Sequence, residues 1–267
     1  MYSVDLINSS ETVAAFRTYA ADVYTLVGGG FGAKLAGEAA SGTTTWLGYP
    51  AETGTLQAGQ TSPRTFTVTV PAGTAAGDYI SSVVIEDATP TATGTTGVSV
   101  RIAVAVAIRV PGALTPAFIG QSASETHRSG RSVVAVTIDN TGNALLKPAG
   151  TVRVTNARNT TVFTSSVVMD SFYAHTATTI EAEIPHVLPA GIYSVTLSLV
   201  DPTTETRMTE TTHQFHVAAV LPVKAPPAAS PAGLAVPWWW ISLSAVAVLL
   251  IGFLVLWRFR DPRRVKQ

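Results

Sequence analysis

From Val98 to Val110 the chain alternates without a slip. Val98, Val100, Ile102, Val104, Val106, Ile108 and Val110 hold one set of positions, and Ser99, Arg101, three alanines and Arg109 hold the other. Successive side chains of a strand point to opposite faces, so a period of two predicts a strand with one face in a core. The same alternation runs through RTFTVTV (Phe66, Val68, Val70), SVVAVTI (132–138), TTIEAEI (Ile180, Ala182, Ile184) and YSVTLSL (Tyr193, Val195, Leu197, Leu199). Short strands separated by Gly, Pro and Asn turns predict β-sandwiches. Pro111-Gly112 ends the longest strand and marks a boundary, because proline cannot donate to a ladder and Pro-Gly favours a turn.

The two sides of that boundary resemble each other. PAGTAAGDYISSVVIED (71–87) matches LPAGIYSVTLSLVD (188–201), each a Pro-Ala-Gly turn followed by a tyrosine that opens an alternating strand. Upstream, VDLINSSE (4–11) matches VTIDNTGN (136–143), a strand followed by an Asn-Ser/Thr turn of the kind side-chain-to-backbone bonding stabilises. Two matches in the same order predict two copies of one topology. The first copy is longer, and its extra residues are expected within 26–60, which holds GGGFG, Trp46 and Tyr49.

Periodicity ends near residue 217. VAAVLPVKAPPAASPAGLAVP, rich in Pro and Ala, reads as an extended stalk. Residues 238–257, WWWISLSAVAVLLIGFLVLW, carry no charge. A helix of that length spans about 30 Å, the thickness of a bilayer's hydrocarbon core. Trp238, Trp239, Trp240 and Trp257 stand at its two ends, where indole favours the headgroup boundary. Arg258, Arg260, Arg263, Arg264 and Lys266 follow with one acid, Asp261, which predicts a cytoplasmic tail and an outward-facing bulk. The expected fold class is all-β: two tandem Ig-like sandwiches at 1–112 and 113–218, a stalk at 219–237, one transmembrane helix at 238–257 and a basic tail at 258–267. An outward-facing chain needs an export signal, and Met1 opens directly into the strand-like YSVDLIN. A signal peptide and a further strand are therefore expected upstream of Met1.

Composition sharpens this picture. Threonine makes up 37 of 267 residues, and threonine with valine suits pleated, half-buried strands. The formal charge is zero, but residues 1–257 hold twelve cations against sixteen acids, so nothing indicates a nucleic-acid surface. With no cysteine there is no disulfide framework and no thiol nucleophile. GGGFGAK (28–34) lacks the phosphate-loop spacing and reads as a flexible loop tip. His213 and His216 lie on opposite faces of a strand and cannot chelate one metal together. Asp139 to Asn143 lacks a calcium loop's spacing and reads as a plain turn. Glu181 and Glu183 share a strand face that reads as solvated. No catalytic constellation, cofactor or metal site is expected. The candidate ligand contacts are Trp46 and Tyr49, with Phe31 nearby, in the segment extra to the first copy; the alternative is that Trp46 plugs the end of its own sandwich.

The order of features resembles a known family. An Asn-Ser turn follows a first strand, a Trp sits in a Gly- and Thr-rich loop, and RTFTVTVPAGTAAGDY (64–79) leads to a long strand ending in RVPG (109–112). This is similar to the peptidoglycan-binding domain of the WxL-interacting proteins of Gram-positive bacteria. NTGNALLKPAGTVRV (140–154), LPAGIYSVTLSL (188–199) and FHV (215–217) resemble their host-binding domain. The resemblance implies a non-enzymatic, single-pass membrane protein of the cell surface. Its implied partners are peptidoglycan, the lipid bilayer and other surface proteins, WxL-type ones included. The alternative is an adhesin or assembly subunit that binds only protein partners through exposed sandwich edges, without wall affinity.

Overall fold

The computed structural model describes residues 1–89, 91–93, 96–208 and 211–219. Among them the chain is all-β, with one short 3-10 turn at Gly42–Trp46 and no α-helix. The expected membrane helix with Trp238, Trp239, Trp240 and Trp257, the stalk from residue 220 and the tail with Arg258 and Arg260 lie outside the described residues. No helix among the described residues is long and apolar enough to cross a membrane.

Eleven strands precede Pro111. They are β1 (Tyr2–Ile7), β2 (Ala14–Ala21), β3 (Val23–Thr25), β4 (Phe31–Ala33), β5 (Leu47–Gly48), β6 (Glu52–Leu56), β7 (Thr61–Val68), β8 (Gly77–Asp87), β9 (Thr91–Thr93), β10 (Thr96–Val98) and β11 (Arg101–Val110). A three-stranded sheet β1-β7-β5 faces a four-stranded sheet β11-β8-β2-β6, while β3-β4 and β9-β10 are separate hairpins. Seven strands follow: β12 (Phe118–Arg128), β13 (Arg131–Asn140), β14 (Ala149–Asn156), β15 (Thr161–Val168), β16 (Ala177–Ile184), β17 (Gly191–Val200) and β18 (Thr211–Val217). They form the sheets β12-β13-β16 and β15-β14-β17-β18. Among the described residues no sheet mixes strands from the two sides of Pro111.

The two sets of sheets have the same wiring. The pair β1-β7 matches β13-β16, and β6-β2-β8-β11 matches β15-β14-β17-β18 strand for strand, with every pair antiparallel. Local chemistry repeats with the wiring. The side-chain amide of Asn8 donates to Thr12 O (2.8 Å) and Leu56 O (3.0 Å), and its carbonyl accepts from Ser10 N–H. Asn140 donates to Ala144 O (2.9 Å) and Phe172 O (3.0 Å) and accepts from Gly142 N–H. Both asparagines are buried, so these bonds replace water that the amide has lost. The Tyr79 hydroxyl donates to Ala75 O and the Tyr193 hydroxyl to Pro189 O, each four residues back. A tyrosine bonded to backbone shortly upstream is a corner of immunoglobulin-like sandwiches. The extra residues of the first copy lie between β2 and β6, at 22–51, where the second copy has only the short turn from Asn156 to Thr161.

The cores differ. In the second half, twenty-one buried residues from both sheets form one cluster that includes Val134, Val136, Ile138, Val152, Phe172 and Leu197. In the first half the buried residues fall into three small clusters: Leu47, Tyr49, Phe66 and Val83; Leu6, Phe16 and Leu56; and Tyr19, Ala21, Ala33 and Val84. The last of these lies on the outer face of the four-stranded sheet, where the 22–51 segment contributes Ala33. The uninterrupted apolar face read from 98–110 is a correction in one respect. Its strand is divided, with Val98 closing β10, and of the apolar set on β11 Val106 and Ile108 pack into the inner core. Ile102 is 60% exposed and Val104 46% exposed, because nothing among the described residues covers that end of the face.

This contrast predicts opposite mutational costs. Phe172→Ala, which empties a fully buried site, should destabilise the chain by about 3–5 kcal/mol in denaturant unfolding. Ile102→Ala should change stability by no more than about 0.5 kcal/mol. Equal costs at the two positions would refute the picture of an uncovered β11.

Candidate functional site

The 22–51 segment does not gather its aromatic residues into one exposed platform. Tyr49 is buried, packs edge-on against Phe66 with ring centroids 6.1 Å apart, and belongs to the core. Burial pushes its hydroxyl pKa up, outweighing the bond to Thr18 and the Arg64 charge. Trp46 is half-buried, lies 4.8 Å from Tyr79 and packs against the same cluster, closing the end of its own sandwich. Phe31 is half-buried in β4, where its backbone pairs with Thr25. Trp46 and Tyr49 share a cluster, and Phe31 belongs to the other arm of the segment.

Gly28–Gly30 is a docking element rather than a loose tip. Gly28 N–H donates to Thr179 O at 2.9 Å, Gly30 N–H to Ser171 O at 2.9 Å, and Asp170 N–H to Gly28 O at 3.1 Å. The Thr25 and Thr176 hydroxyls meet at 2.6 Å, and Thr178 donates to Leu26 O. Glycine is required at the middle position. Gly29 has φ +103°, and a Cβ there would lie 2.6 Å from the Asp170 backbone. The sequence carried the glycines but not their partner, which lies about 140 residues downstream.

A second contact joins the halves at Asn143. Its carbonyl accepts from Asp78 N–H (2.8 Å), its side-chain amide donates to Ala76 O (2.8 Å), and its side-chain oxygen accepts from Thr115 N–H (2.6 Å). The turn that reads as plain in sequence thus also clamps the interface. Asp78 answers from the other side, with Oδ2 accepting from Leu145 N–H at 2.9 Å and both oxygens gripping Arg109 at 2.6 and 2.8 Å. Burial raises the Asp78 pKa, but the Arg109 guanidinium and the Leu145 N–H outweigh it and hold the carboxyl below its ordinary 3.8. Beside this contact lies a cavity of about 230 Å³ lined by Tyr79, Ile108, Leu145 and Tyr173.

The remaining sequence candidates are dispersed. His213 is half-buried and His216 exposed on successive faces of β18. Glu181 and Glu183 form surface ion pairs with Arg128 (3.1 Å) and Arg131 (2.8 Å). Among the described residues no three His, Asp or Glu side chains are grouped to hold a metal.

What stands out is a surface that the sequence had assigned to the core. β1 and β11 are each the last strand of their sheets, so each offers an unpaired backbone edge. Between them lies a groove of about 480 Å³ lined by Ile7, Asn8, Phe16, Leu56, Ile85 and Ile102. Ile7 (65%) and Val100 (64%) are exposed in its wall. Glu86 and Arg17 form an ion pair at 3.0 Å on the outer side of the same sheet. An apolar strip between two open edges, rimmed by polar groups, has the make-up of a protein-binding surface.

No family model and no curated protein matches the chain. Solved structures do. One is from the chaperone–tip adhesin complex of CFA/I fimbriae biogenesis: 13% identity and TM-score 0.37, over 82% of this chain and 92% of that one. The Pseudomonas aeruginosa CupB2 chaperone is 10% identical with TM-score 0.31, over 80% and 90%. The E. coli chaperone DraB is 10% identical with TM-score 0.33, over 82% and 89%. At these similarities the functional argument rests on this chain's own residues.

Two predictions follow from the contact between halves. Gly29→Ala should undock the loop, seen as faster limited proteolysis at 111–117, while unchanged cleavage would show that the loop does not hold the halves. Asp78 sets a pH dependence. A carboxyl more acidic folded than unfolded adds stability that is complete above the unfolded pKa of about 3.9 and lost as pH falls through the lower folded value. From about pH 5 down to about pH 2, the melting temperature of the chain should therefore fall more steeply than that of Asp78→Asn. Parallel curves would remove the assignment.

Proposed function

We propose that the chain is a non-catalytic cell-surface module that binds protein partners through an open edge of its first sandwich. The observation that carries this reading is the uncovered inner face of β11, with Ile102 and Val104 exposed beside the unpaired β1. Main-chain groups at a sheet edge supply affinity to an added strand, and alternate side-chain pockets supply specificity. The uncharged run 238–257 followed by five cations supports a single-pass anchor with this face held outside the cell.

Wall affinity draws its support from the family resemblance. The residues that would have carried it directly point elsewhere, since Tyr49 is buried and Trp46 closes its own sandwich. Paired carboxylates converging in a cleft would have favoured hydrolysis of wall glycan, whereas Glu86, Asp78, Glu181 and Glu183 each form an ion pair with an arginine, Arg17, Arg109, Arg128 and Arg131 in turn.

Two assays on the full chain separate the readings. Cross-linking on intact cells should recover one stoichiometric protein partner, and purified peptidoglycan should leave the chain in the supernatant at all salt concentrations. Pelleting with peptidoglycan without a protein partner would overturn the proposal.

A further inference from the structure

The second sandwich has an open edge of its own. β15 is the last strand of the sheet β15-β14-β17-β18, and among the described residues no strand pairs with its far side. Its sequence, TVFTSSVV, holds no charge, proline or glycine. Exposed edges are ordinarily blunted by such residues. The counterpart of β15 in the first half, β6, carries Glu52, and β16, the edge of the other sheet in the second half, carries Glu181 and Glu183.

The backbone bonds fix which groups of β15 are free. Met169 N–H donates to Pro148 O at 2.9 Å, toward β14. Bonding alternates along an antiparallel pair, so Phe163, Ser165 and Val167 bond to β14, and the N–H and C=O groups of Thr164, Ser166 and Val168 face away from it. Asp170 continues that outward series, and its N–H donates to Gly28 O at 3.1 Å. The docked glycine loop therefore closes one end of the edge. A bulge closes the other, because Val162 is skipped between Val154↔Phe163 and Thr155↔Thr161. The open positions that remain are symmetric about Ser166. Ser166 O accepts from the Ser165 hydroxyl at 3.2 Å and keeps a second lone pair. Phe163 and Val167 pack against the core, whereas Thr164 and Ser166 are exposed and Val168 is 82% exposed.

We propose that β15 pairs antiparallel with β15 of a second copy of this chain, about a two-fold axis at Ser166. A two-fold contact needs a surface that complements itself. In this register Ser166 meets Ser166, and Thr164 meets Val168 of the other copy, so each open N–H and C=O finds a partner. No charges oppose each other along the strands. At both ends the exposed turn with Arg158 in one copy points toward the exposed Asp170 of the other, so the flanking charges attract. The contact uses the second sandwich alone and goes beyond the partner-binding reading of the first.

The chain has no cysteine, so Ser166→Cys supplies a single thiol on the axis. Hydrogen-bonded residues across antiparallel strands have Cα atoms about 5.5 Å apart, within reach of a short bis-maleimide. A contact this small is weak, so the full chain is cross-linked in detergent at about 100 μM. Ser166→Cys should give mostly covalent dimer. Ser198→Cys, exposed on β17, should give at least tenfold less, because its two copies stand five strand spacings apart, about 24 Å. Adding Thr164→Lys and Val168→Lys, both at exposed positions, should cut the Ser166→Cys product at least tenfold while the dilute chain keeps its unfolding midpoint. Monomer alone, equal product from Ser198→Cys, or product that survives the two lysines would overturn the proposal. So would slow exchange of the Thr164, Ser166 and Val168 amides in the dilute, monomeric chain, because the edge would then be covered from within. Capture of a different protein by this edge, with no covalent dimer, would also reject the second copy as its occupant. None of these readouts involves Ile102 or Val104, so failure here leaves the partner-binding reading standing.

Discussion

A pleated sheet sends every second side chain to one face, and that face must be covered. The second sandwich meets this condition with seven strands. Its β12 bridges the sheets, and one continuous core results in which Val134, Ile138, Val152, Phe172 and Val195 are out of contact with water. Among the described residues the first sandwich repeats the wiring of the other six strands, and its inner face is only partly covered. Full burial of one aliphatic side chain contributes about 1.5–3 kcal/mol, so an exposed Ile102 beside Val104 leaves a substantial driving force unused. The proposed partner binding would draw on this unburied apolar surface.

The same repeat explains the junction between the halves. Asn8 and Asn140 each end a strand and use one side-chain amide to fasten two neighbouring segments. Three residues beyond Asn140, Asn143 reaches to the other half as well, with Ala76 and Asp78 as partners. Gly28–Gly30 makes the reciprocal contact from the 22–51 segment. The insertion that lengthens the first copy therefore does two jobs: it caps the outer face of its own sheet near Ala33 and docks on the second half.

Strand positions were legible because alternation is local. Ile180, Ala182, Ile184, Tyr193, Val195, Leu197 and Leu199 are buried as their period predicts. The duplication was legible too, through the Asn turns and the Pro-Ala-Gly-to-Tyr motifs, and the insertion lies within a few residues of its expected place. Three features were hidden for a shared reason. An alternating pattern states that a face is apolar, but not whether another strand covers it, so β11 reads as fully buried. Glycine in a row states that the backbone is free to turn, but not that it presses on Asp170. Tyr49 looks like a loop aromatic until β5 and β7 bring it against Phe66. Each depends on contacts between residues far apart in sequence.

The first sandwich draws support from contacts that the second does not repeat. On the outer face of the four-stranded sheet, Tyr19, Ala21 and Val84 pack against Ala33 and give β2 and β8 a second apolar contact. On the inner face, the guanidinium of Arg64 lies 5.2 Å over the Phe16 ring, a cation–π contact at a position where the second half has Ile180. Ser81 is buried and bonded to Thr44 at 2.8 Å, which ties the insertion to β8 at mid-strand. These contacts hold β8 and β2 from both faces of the sheet. Natural edges are blunted by lysine, proline or a cluster of charges. β1 has one charge, Asp5, and neither lysine nor proline. The edge is therefore held in a strand conformation, carries little that repels a partner strand, and stands beside apolar surface that the fold leaves uncovered.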